Sequence, residues 1–291
     1  MTPVSLSLNA STKGRPSDAV TRENAAINTE RAQAVERVAS AFVNARLAPR
    51  ALESYPGPVP DDLDAAYLCQ AQAISLWPDE VGGWKVGSIR PEFATKVGRT
   101  RLIGPIFRKS IRRVAAGQHI EFRTFEGGFA AAEPEFVLQI GQDLEAGRTQ
   151  WTADEARNLV CAVFQGVEIA GSPFPGINDH GPAVVVSDFG NNDGLILGEA
   201  LEDWRTRPLQ EWCSRLYIDG VLTGEGCVDD LVGGPFESLR CALEQIARMG
   251  LPIRRGDYIS TGAITGVHRV FAGQRIRAEF STGAAIELVA R

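Results

Sequence analysis

Two glutamates that flank a single proline, Glu133-Pro134-Glu135, constrain this chain more than any other short stretch. The residues that follow, 136–138 and Ile140, are apolar and bounded by glycines, which predicts a strand. Because side chains two positions apart on a strand share a face, the two carboxylates are expected to lie side by side. Burial of both as anions requires a compensating cation. Pro134 cannot donate a ladder hydrogen bond, which indicates an edge, a bulge or a strand end.

A third acid, Glu168, follows a helix that the sequence predicts over residues 152–164. Three carboxylates without matching histidines or thiols form a hard, all-oxygen ligand set, which suits Mg²⁺ or Mn²⁺. The alternative is a solvated glutamate pair on an exposed strand. Spacing alone favours that alternative, because a glutamate pair two residues apart is a common pattern.

Composition limits the possible partners of this chain. Its 291 residues suffice for one large domain, or for a small one and a larger one. A net charge of −6 gives no electrostatic reason to expect nucleic acid or an anionic membrane as a partner. Residues 1–20 are rich in serine, threonine, proline and asparagine and lack the apolar segment of a secretory signal. We therefore expect a disordered tail at 1–20 and a cytoplasmic protein.

The five cysteines are widely spaced and odd in number: Cys69, Cys161, Cys213, Cys227 and Cys241. Since no two lie three positions apart, the spacing indicates neither a zinc site nor a disulfide framework. Free thiols in a reducing compartment are the simplest expectation.

The sequence predicts a helical region over residues 21–80 and a sheet-rich catalytic region over 81–291. In the first, a helix from about 21 to 47 carries an apolar stripe, with Arg46 among the charges on its other faces. Asp61 is predicted to cap a second helix. The stripe consists of Val35, Val38, Phe42 and Val43.

From residue 81 onward, short apolar segments alternate with glycines. Among the predicted strands is 183–186, and a hairpin is predicted at 216–222, where Asp219-Gly220 suits a type I′ turn. Only two helices are predicted in this region, over 152–164 and 235–249. Long gaps between strands with so few helices favour a mixed α+β sheet over a Rossmann-type alternation.

Lys85 is the first candidate catalytic residue outside the three acids. It lies in an apolar strand, Trp84-Lys85-Val86, flanked by glycines. Partial desolvation is expected to lower its pKa, as acid/base catalysis requires. The alternative is a lysine that extends to solvent from a half-exposed strand.

Two polar loops and one histidine complete the candidates. Asp188 opens the loop 187–194, and loops of this kind often carry functional groups on a rigid scaffold. The loop 256–266 contains glycines that permit close approach to a ligand and hydroxyls that can hold a carboxylate. His180 lies in the loop 176–181 and belongs either to a lid or to the plain surface.

Taken together, these segments resemble the fumarylacetoacetate hydrolase superfamily, in its 2-keto-4-pentenoate hydratase branch. The resemblance extends from about residue 21 to the C-terminus, with its pieces in the family's order. Two differences stand out: the segment 101–105 has no acid before its glycine, and Phe189 stands where the branch usually has asparagine. The matching segments are 64–70, 83–87, 133–138, 167–169, 187–198 and 256–262.

The resemblance implies a fold and a set of functional residues. The fold is a mixed β-roll of the superfamily's C-terminal-domain type, preceded by a small helical region and usually assembled into homo-oligomers. The resemblance implies that Glu133, Glu135 and Glu168 bind the family's divalent metal, Mg²⁺ or Mn²⁺. Its lysine corresponds to Lys85.

The resulting hypothesis is a metal-dependent lyase that adds water to, or removes it from, a 2-oxo acid or its dienol. A divalent metal can chelate the two oxygens of a 2-oxo carboxylate and act as a Lewis acid. Lys85 is expected to move the proton, and Asp188 to position water or orient Lys85. Three residues are expected to hold the substrate: Thr261, Gly262 and Asn192.

Three other functions stay open on the sequence alone. A decarboxylase of 2-oxo acids passes through the same kind of enolate. A C–C bond hydrolase needs a base to activate water, and His180 is the candidate histidine for it. A non-catalytic binding protein would be expected to have lost the lysine or one of the three acids, all of which are present.

Overall fold

The computed structural model describes residues 18–115, 117–144, 147–283 and 285–291. Of the expected tail, residues 1–17 lie outside these ranges, and the last three residues already belong to the first helix. Within the described ranges, no helix has the length and apolar character needed to cross a bilayer. The described residues form six α-helices: α1 (Asp18–Leu47), α2 (Leu63–Leu76), α3 (Pro91–Val97), α4 (Ala153–Asn158), α5 (Pro182–Ser187) and α6 (Gly234–Arg248).

The described strands form two mixed sheets. The larger has the order β2-β1-β10-β5-β6-β7-β3, with β11 also paired to β5. The smaller has the order β4-β13-β12-β8-β9. The strands are β1 (Val81–Ser88), β2 (Arg101–Phe107), β3 (Ile111–Arg113), β4 (His119–Phe122), β5 (Phe129–Ile140), β6 (Val160–Ser172), β7 (Asn192–Ala200), β8 (Cys213–Ile218), β9 (Val221–Cys227), β10 (Tyr258–Ser260), β11 (His268–Arg269), β12 (Arg275–Phe280) and β13 (Ile286–Ala290).

Both parallel and antiparallel pairs occur within each sheet. In the larger sheet β1 runs parallel to β10 and β3 parallel to β7, whereas its other pairs are antiparallel. In the smaller sheet β4 runs parallel to β13. This arrangement confirms the predicted α+β class with mixed sheets.

Strands β5 and β6 form the centre of the larger sheet, and nearly all of their residues are buried. Pro134 lies in the middle of β5, opposite Val167 on β6. On its other side, β5 is paired with β11 and with β10 at two separate places, and the carbonyl of Pro134 accepts a hydrogen bond from the Ile264 amide. Pro134, which has no N–H, therefore lies in a local gap between the two short strands that pair with β5 on this side. The sequence had predicted a strand edge, a bulge or a strand end at this position.

The N-terminal helices pack directly on the sheets. Val38 and Phe42 of α1 share a core cluster with Phe129 and Phe174. The predicted apolar stripe is thus buried, apart from the half-buried Val35. Arg46, which was assigned to a charged face, is instead 1% exposed, because Asp188 lies opposite it inside the fold.

Two predicted elements are wrong in type. The helix expected over 152–164 ends at Asn158, and Val160 begins the long strand β6. Val163 and Phe164 suit either structure locally, and pairing with β5 and β7 decides for the strand. Residues 183–186, expected as a strand, form the helix α5, whose first turn contains Pro182. A short apolar run cannot distinguish a buried strand from a buried helix.

Two of the five cysteines are paired, contrary to expectation. Cys213 and Cys227 lie opposite each other on β8 and β9 and form a disulfide. The predicted hairpin explains the pairing, since Asp219 and Gly220 have positive φ angles of 51° and 79° and set the register. The other three, Cys69, Cys161 and Cys241, are free.

Candidate metal centre and active site

The pairing of β5 with β6 brings the three predicted acids together. Glu133 lies directly opposite Glu168, and Glu135 projects from the same face of β5 two residues further on. One carboxylate oxygen of each residue lies within 4.8 Å of the others. All three side chains are buried. The convergence that the sequence predicted is therefore present, and the solvated-pair alternative is wrong.

The crowding of three buried carboxylates raises the affinity of Glu133 and Glu135 for protons. Desolvation, followed by repulsion from Glu168, raises the pKa of Glu133 to about 8. The pKa of Glu135 is raised well above its usual range, again first by burial and then by Glu168 and Glu133. Hydrogen bonds to its Oε2 from the Ser260 hydroxyl at 2.6 Å and the Gly262 amide at 2.8 Å act in the opposite direction.

Two oxygens of this cluster are buried without a hydrogen-bond partner among the described residues: Glu135 Oε1 and Glu168 Oε2. Buried polar atoms are normally satisfied, so an unpartnered pair beside a third acid marks a place for a missing ligand. Carboxylate oxygens are the donors that hard divalent cations prefer. The residues present therefore fit Mg²⁺ or Mn²⁺, with Glu133, Glu135 and Glu168 as its ligands.

Lys85 lies beside the acids and is 4% exposed. Its Nζ is 3.4 Å from Glu168 Oε1 and donates a hydrogen bond of 3.1 Å to Asn191 Oδ1. Burial alone lowers the pKa of Lys85, but the carboxylates of Glu168, Glu133 and Glu135 outweigh it, and the pKa is raised. The expected lowering is therefore wrong for this arrangement of charges. Lys85 carries its proton and balances part of the negative charge.

Asn191 was not among the predicted site residues, although it lies in the predicted loop. The backbone of this loop is left-handed at three successive residues, with φ angles of 53° at Phe189, 62° at Gly190 and 59° at Asn191. A left-handed conformation costs a non-glycine residue about 1–2 kcal/mol, and such strain is concentrated at functional sites. A side chain at Gly104 would overlap the carbonyl oxygen of Phe189, so glycine is required there.

The three predicted substrate-binding residues contact the protein itself. The Asn192 amide donates to Glu168 Oε1 at 2.9 Å. The backbone amide of Gly262 donates to Glu135, and the Thr261 hydroxyl donates to the carbonyl of Phe136 at 2.8 Å. These contacts orient two of the candidate metal ligands and join the loop after β10 to β5.

Asp188 was expected to contact Lys85 or a water beside it, but its carboxylate is bound by other groups. Oδ1 accepts a hydrogen bond from Arg46 Nε at 2.5 Å. Oδ2 accepts from Arg46 Nη2 at 2.9 Å and from the Ser172 hydroxyl at 2.6 Å. The described polar contacts of Lys85 are with Asn191 and Glu168 instead. No sequence pattern indicated this role for Arg46, because a helical arginine usually faces solvent.

A cavity of about 530 Å³ opens over this cluster. Lys85, Glu133 and Asn191 contribute polar groups to it. His180 is not among its lining residues; it is exposed and its ring stacks on Phe174 at a centroid distance of 5.6 Å. The remaining lining includes apolar side chains (Leu102, Pro182, Val185, Val267) and polar ones (Arg90, Asn178, Asp179). The cavity is thus of a size and character that suit a small organic acid.

Comparison with solved structures finds close similarity of fold. The 4-oxalocrotonate decarboxylase of Pseudomonas putida G7, complexed with magnesium and adipate, matches 88% of this chain and 97% of its own, with a TM-score of 0.72 and 19% identity. The fumarylpyruvate hydrolase of Pseudomonas aeruginosa, in complex with Mn²⁺ and pyruvate, matches 71% of this chain and 88% of its own, with a TM-score of 0.54 and 16% identity.

Comparison of sequences is less informative. No family model matches the chain. The REH2-associated factor 2 of Trypanosoma brucei brucei is 28% identical over 147 residues, which are 49% of this chain. The match spans about half of that relative, 52% of its length.

Proposed function

This chain has the fold of the fumarylacetoacetate hydrolase superfamily, as the sequence resemblance predicted, and from that premise we propose that it is a divalent-metal-dependent lyase. Its substrate is a 2-oxo acid or the corresponding dienol, and its reaction is the addition or removal of water. The observation that carries the proposal is the Lys85 ammonium group, 3.4 Å from Glu168 at the wall of a cavity of about 530 Å³. Lys85 and Glu133, one of the three candidate metal ligands, therefore line the same small space.

The two unpartnered oxygens, on Glu135 and Glu168, support a metal at this position. Together with Glu133 they would hold Mg²⁺ or Mn²⁺. When bound, the ion supplies Lewis-acid polarisation of the 2-oxo carboxylate. Structural neighbours containing magnesium and manganese are consistent with this choice of ion.

In the proposed mechanism, Lys85 delivers a proton to C3 of the substrate or removes one from it. Lys85 lies on β1 with its side chain buried, and its Nζ is 3.1 Å from Asn191 Oδ1. Asn191 in turn donates to Asn178 Oδ1 at 3.3 Å, so a chain of polar groups fixes the direction of the ammonium. Fixed orientation of a proton donor is a large part of what an active site contributes to rate.

Asp188 and Asn192 act as positioning residues in this proposal. Asp188 is held by Arg46 and so fixes the start of the loop that presents Asn191. Asn192 orients Glu168 through its 2.9 Å hydrogen bond. Thr261 and Gly262 fix the loop after β10 and the Glu135 carboxylate, leaving the cavity wall to form the substrate contacts.

A decarboxylase of 2-oxo acids is the second candidate function. The observation that favours it is the TM-score of 0.72 with 4-oxalocrotonate decarboxylase over nearly its whole length. Loss of CO₂ and loss of water both require stabilisation of an enolate and a proton donor, so one set of residues serves either reaction. A hydrolase has a structural neighbour as well, at the lower TM-score of 0.54, but His180, the candidate base for C–C bond hydrolysis, does not line the cavity.

The experiment is a panel of 2-oxo acids and dienols, incubated with Mg²⁺ or with EDTA and followed by ultraviolet absorbance. We expect turnover with Mg²⁺, its loss in EDTA, and a decrease in kcat of about 10²-fold or more for Lys85→Ala. Lys96→Ala is the matched control, since Lys96 is an exposed lysine on α3. Turnover that survives both EDTA and Lys85→Ala contradicts the mechanism. Release of CO₂ assigns the decarboxylase.

The homo-oligomeric state implied by the resemblance stays a prediction. Light scattering coupled to size-exclusion chromatography would test it directly.

A further inference from the structure

A second cavity, of about 430 Å³, lies on the opposite side of the loop that carries Asn191. It shares no lining residue with the cavity over Lys85. Asn191 lines the first cavity, whereas Asn192 and Asp193, the next two residues, line the second. The end of α1, the segment before β3 and the end of β4 complete its walls.

The acidic groups that line this second cavity already have partners. Asp79 accepts hydrogen bonds from the backbone amides of Glu80 at 2.9 Å and Lys109 at 2.8 Å. Glu121 forms an ion pair of 2.6 Å with Arg291. Asp193 lies 3.3 Å from Arg46. Glu121 and Asp193 are therefore compensated by arginines, whereas the backbone amides satisfy the Asp79 carboxylate without cancelling its charge.

The basic groups are not compensated to the same degree. Lys109 Nζ donates to the carbonyl of Pro78 at 3.3 Å, and Arg112 Nη1 to the carbonyl of Glu121 at 2.8 Å. A carbonyl satisfies a donor but does not cancel its charge. Among the described residues, neither Lys109 nor Arg112 has a carboxylate within 4.0 Å, whereas Arg123 reaches Asp193 only at 3.7 Å. The net charge of the residues that line the cavity is therefore positive.

One wall of the same cavity is aromatic. The rings of Trp77 and Phe107 are stacked with a centroid distance of 5.2 Å, and Phe189 meets both edge-on at 5.5 and 5.0 Å. All three line the cavity. Cationic side chains beside an aromatic wall recognise a ligand with an anionic end and a flat apolar body.

We propose that this second cavity is a binding site for a small aromatic or unsaturated carboxylate, separate from the candidate active site. The carboxylate is held by Lys109 and Arg112, with Arg123 beside them, and the apolar body lies against Trp77 and Phe107. The proposed ligand contacts are separate from the lyase machinery, since Lys109, Arg112 and Trp77 have no catalytic role and do not ligate the candidate metal. Asn192 and Arg46, which position groups of the candidate active site, also line this cavity but are not assigned a contact with the ligand. Partial desolvation lowers the pKa of Arg112, and the Asp193 carboxylate acts in the opposite direction.

The test is calorimetric titration of benzoate into the 291-residue chain in EDTA, with tryptophan fluorescence as a second readout. We expect the double variant Lys109→Ala/Arg112→Ala to bind benzoate about tenfold more weakly or worse. Arg112→Lys keeps the charge and is expected to retain most of the affinity. Arg31→Ala is the matched control, because Arg31 is an exposed arginine on the same helix as Arg46, about 22 Å away along the axis.

Further variants and conditions distinguish this site from its alternatives. Lys85→Ala removes the cation of the other cavity and is expected to leave benzoate affinity unchanged. Affinity should fall as salt rises from about 50 to about 300 mM, and phosphate should compete weakly because it cannot use the aromatic wall. Equal affinity for wild type and the double variant overturns the proposal, as does loss of binding in Lys85→Ala alone. If phosphate binds this cavity as strongly as benzoate does, the proposed contact of the ligand with the aromatic wall is wrong.

Discussion

Arg46 forms a bidentate ion pair with Asp188, although 142 residues separate them in the chain. Arg46 Nε lies 2.5 Å from Asp188 Oδ1, and Nη2 lies 2.9 Å from Oδ2. The same guanidinium donates to the backbone carbonyls of Gly171 at 2.8 Å and Asn192 at 2.9 Å. One helical side chain therefore joins the end of β6 to both ends of the loop that holds Lys85 and Glu168 in place.

Replacement of Arg46 by methionine is expected to destabilise the protein by about 3–5 kcal/mol, because the Asp188 carboxylate is left buried without its cation. The free energy of unfolding, measured by urea titration, tests this directly. Arg31→Met removes an exposed arginine from the same helix and should change stability by less than about 0.5 kcal/mol. A loss below about 1 kcal/mol for Arg46→Met would mean that the pair does not hold the loop.

Gly104→Ala is expected to displace the left-handed loop, since the added methyl group would overlap the Phe189 carbonyl. We expect a larger stability loss than for Gly250→Ala, where φ is +67° but nothing lies within 4 Å of the new atom. The control should cost about 1 kcal/mol from backbone strain alone. Displacement of Asn191 should also appear as reduced turnover at saturating substrate. Equal losses at the two glycines would show that Phe189 can move without cost.

The raised pKa of Glu133 predicts how stability depends on pH when metal is removed. Its folded-state value is about 8, against an ordinary value of 4.5. Because the folded state binds the proton more tightly, the stabilising contribution is complete below about pH 4.5 and is lost as pH rises towards 8. In EDTA, the melting temperature is therefore expected to fall across this interval.

Magnesium competes with the proton for the same carboxylates, so its stabilising effect should grow over the same interval. Melting curves at pH 5, 6.5 and 8 (roughly the span between the two pKa values), with Mg²⁺ and with EDTA, would measure both trends. Glu133→Gln removes one of the two carboxyl groups with a raised pKa and should make the fall in melting temperature in EDTA less steep. A magnesium effect that is equal at all three pH values would argue against ligation by these acids.

The Cys213–Cys227 disulfide closes a loop of 14 residues on the β8–β9 hairpin. A crosslink over that length is expected to contribute about 3 kcal/mol by restricting the unfolded chain. The double variant Cys213→Ser/Cys227→Ser should show this loss under non-reducing conditions and be insensitive to dithiothreitol. Cys161→Ser, at an exposed free thiol, is the control. Wild type that is equally stable with and without reductant contradicts the contribution of the disulfide.

Much of the candidate site was predictable because its functional residues lie in short sequence segments. The alternation on β5 placed Glu133 and Glu135 on one face, and the resemblance supplied Glu168 and Lys85 as their companions. What local patterns could not supply was the sign of the pKa shift at Lys85, which depends on three carboxylates from two other strands. The pKa depends on the three-dimensional distances between these charges, which the spacing of residues along one strand does not give.

Two of the wrong predictions, the helix over 152–164 and the free Cys213 and Cys227, share one cause. Val160, Val163 and Phe164 fit a helix when each is read with its neighbours, but the strands on either side pair with them and extend β6. In the same way, Cys213 meets Cys227 only because a hairpin aligns them. Tertiary pairing overrides local preference wherever a segment is buried, since the partner strand satisfies its hydrogen bonds.

By itself, the sequence determined the mixed α+β class, most of the strands and the types of residue that form the site, because periodicity and turn chemistry act over a few residues. Only the tertiary structure decided the burial of Arg46 against Asp188 and the contact of Asn191 with Lys85. Both depend on distances between segments that are more than a hundred residues apart in the chain. Such distances follow from strand order and register, which packing of the whole chain sets.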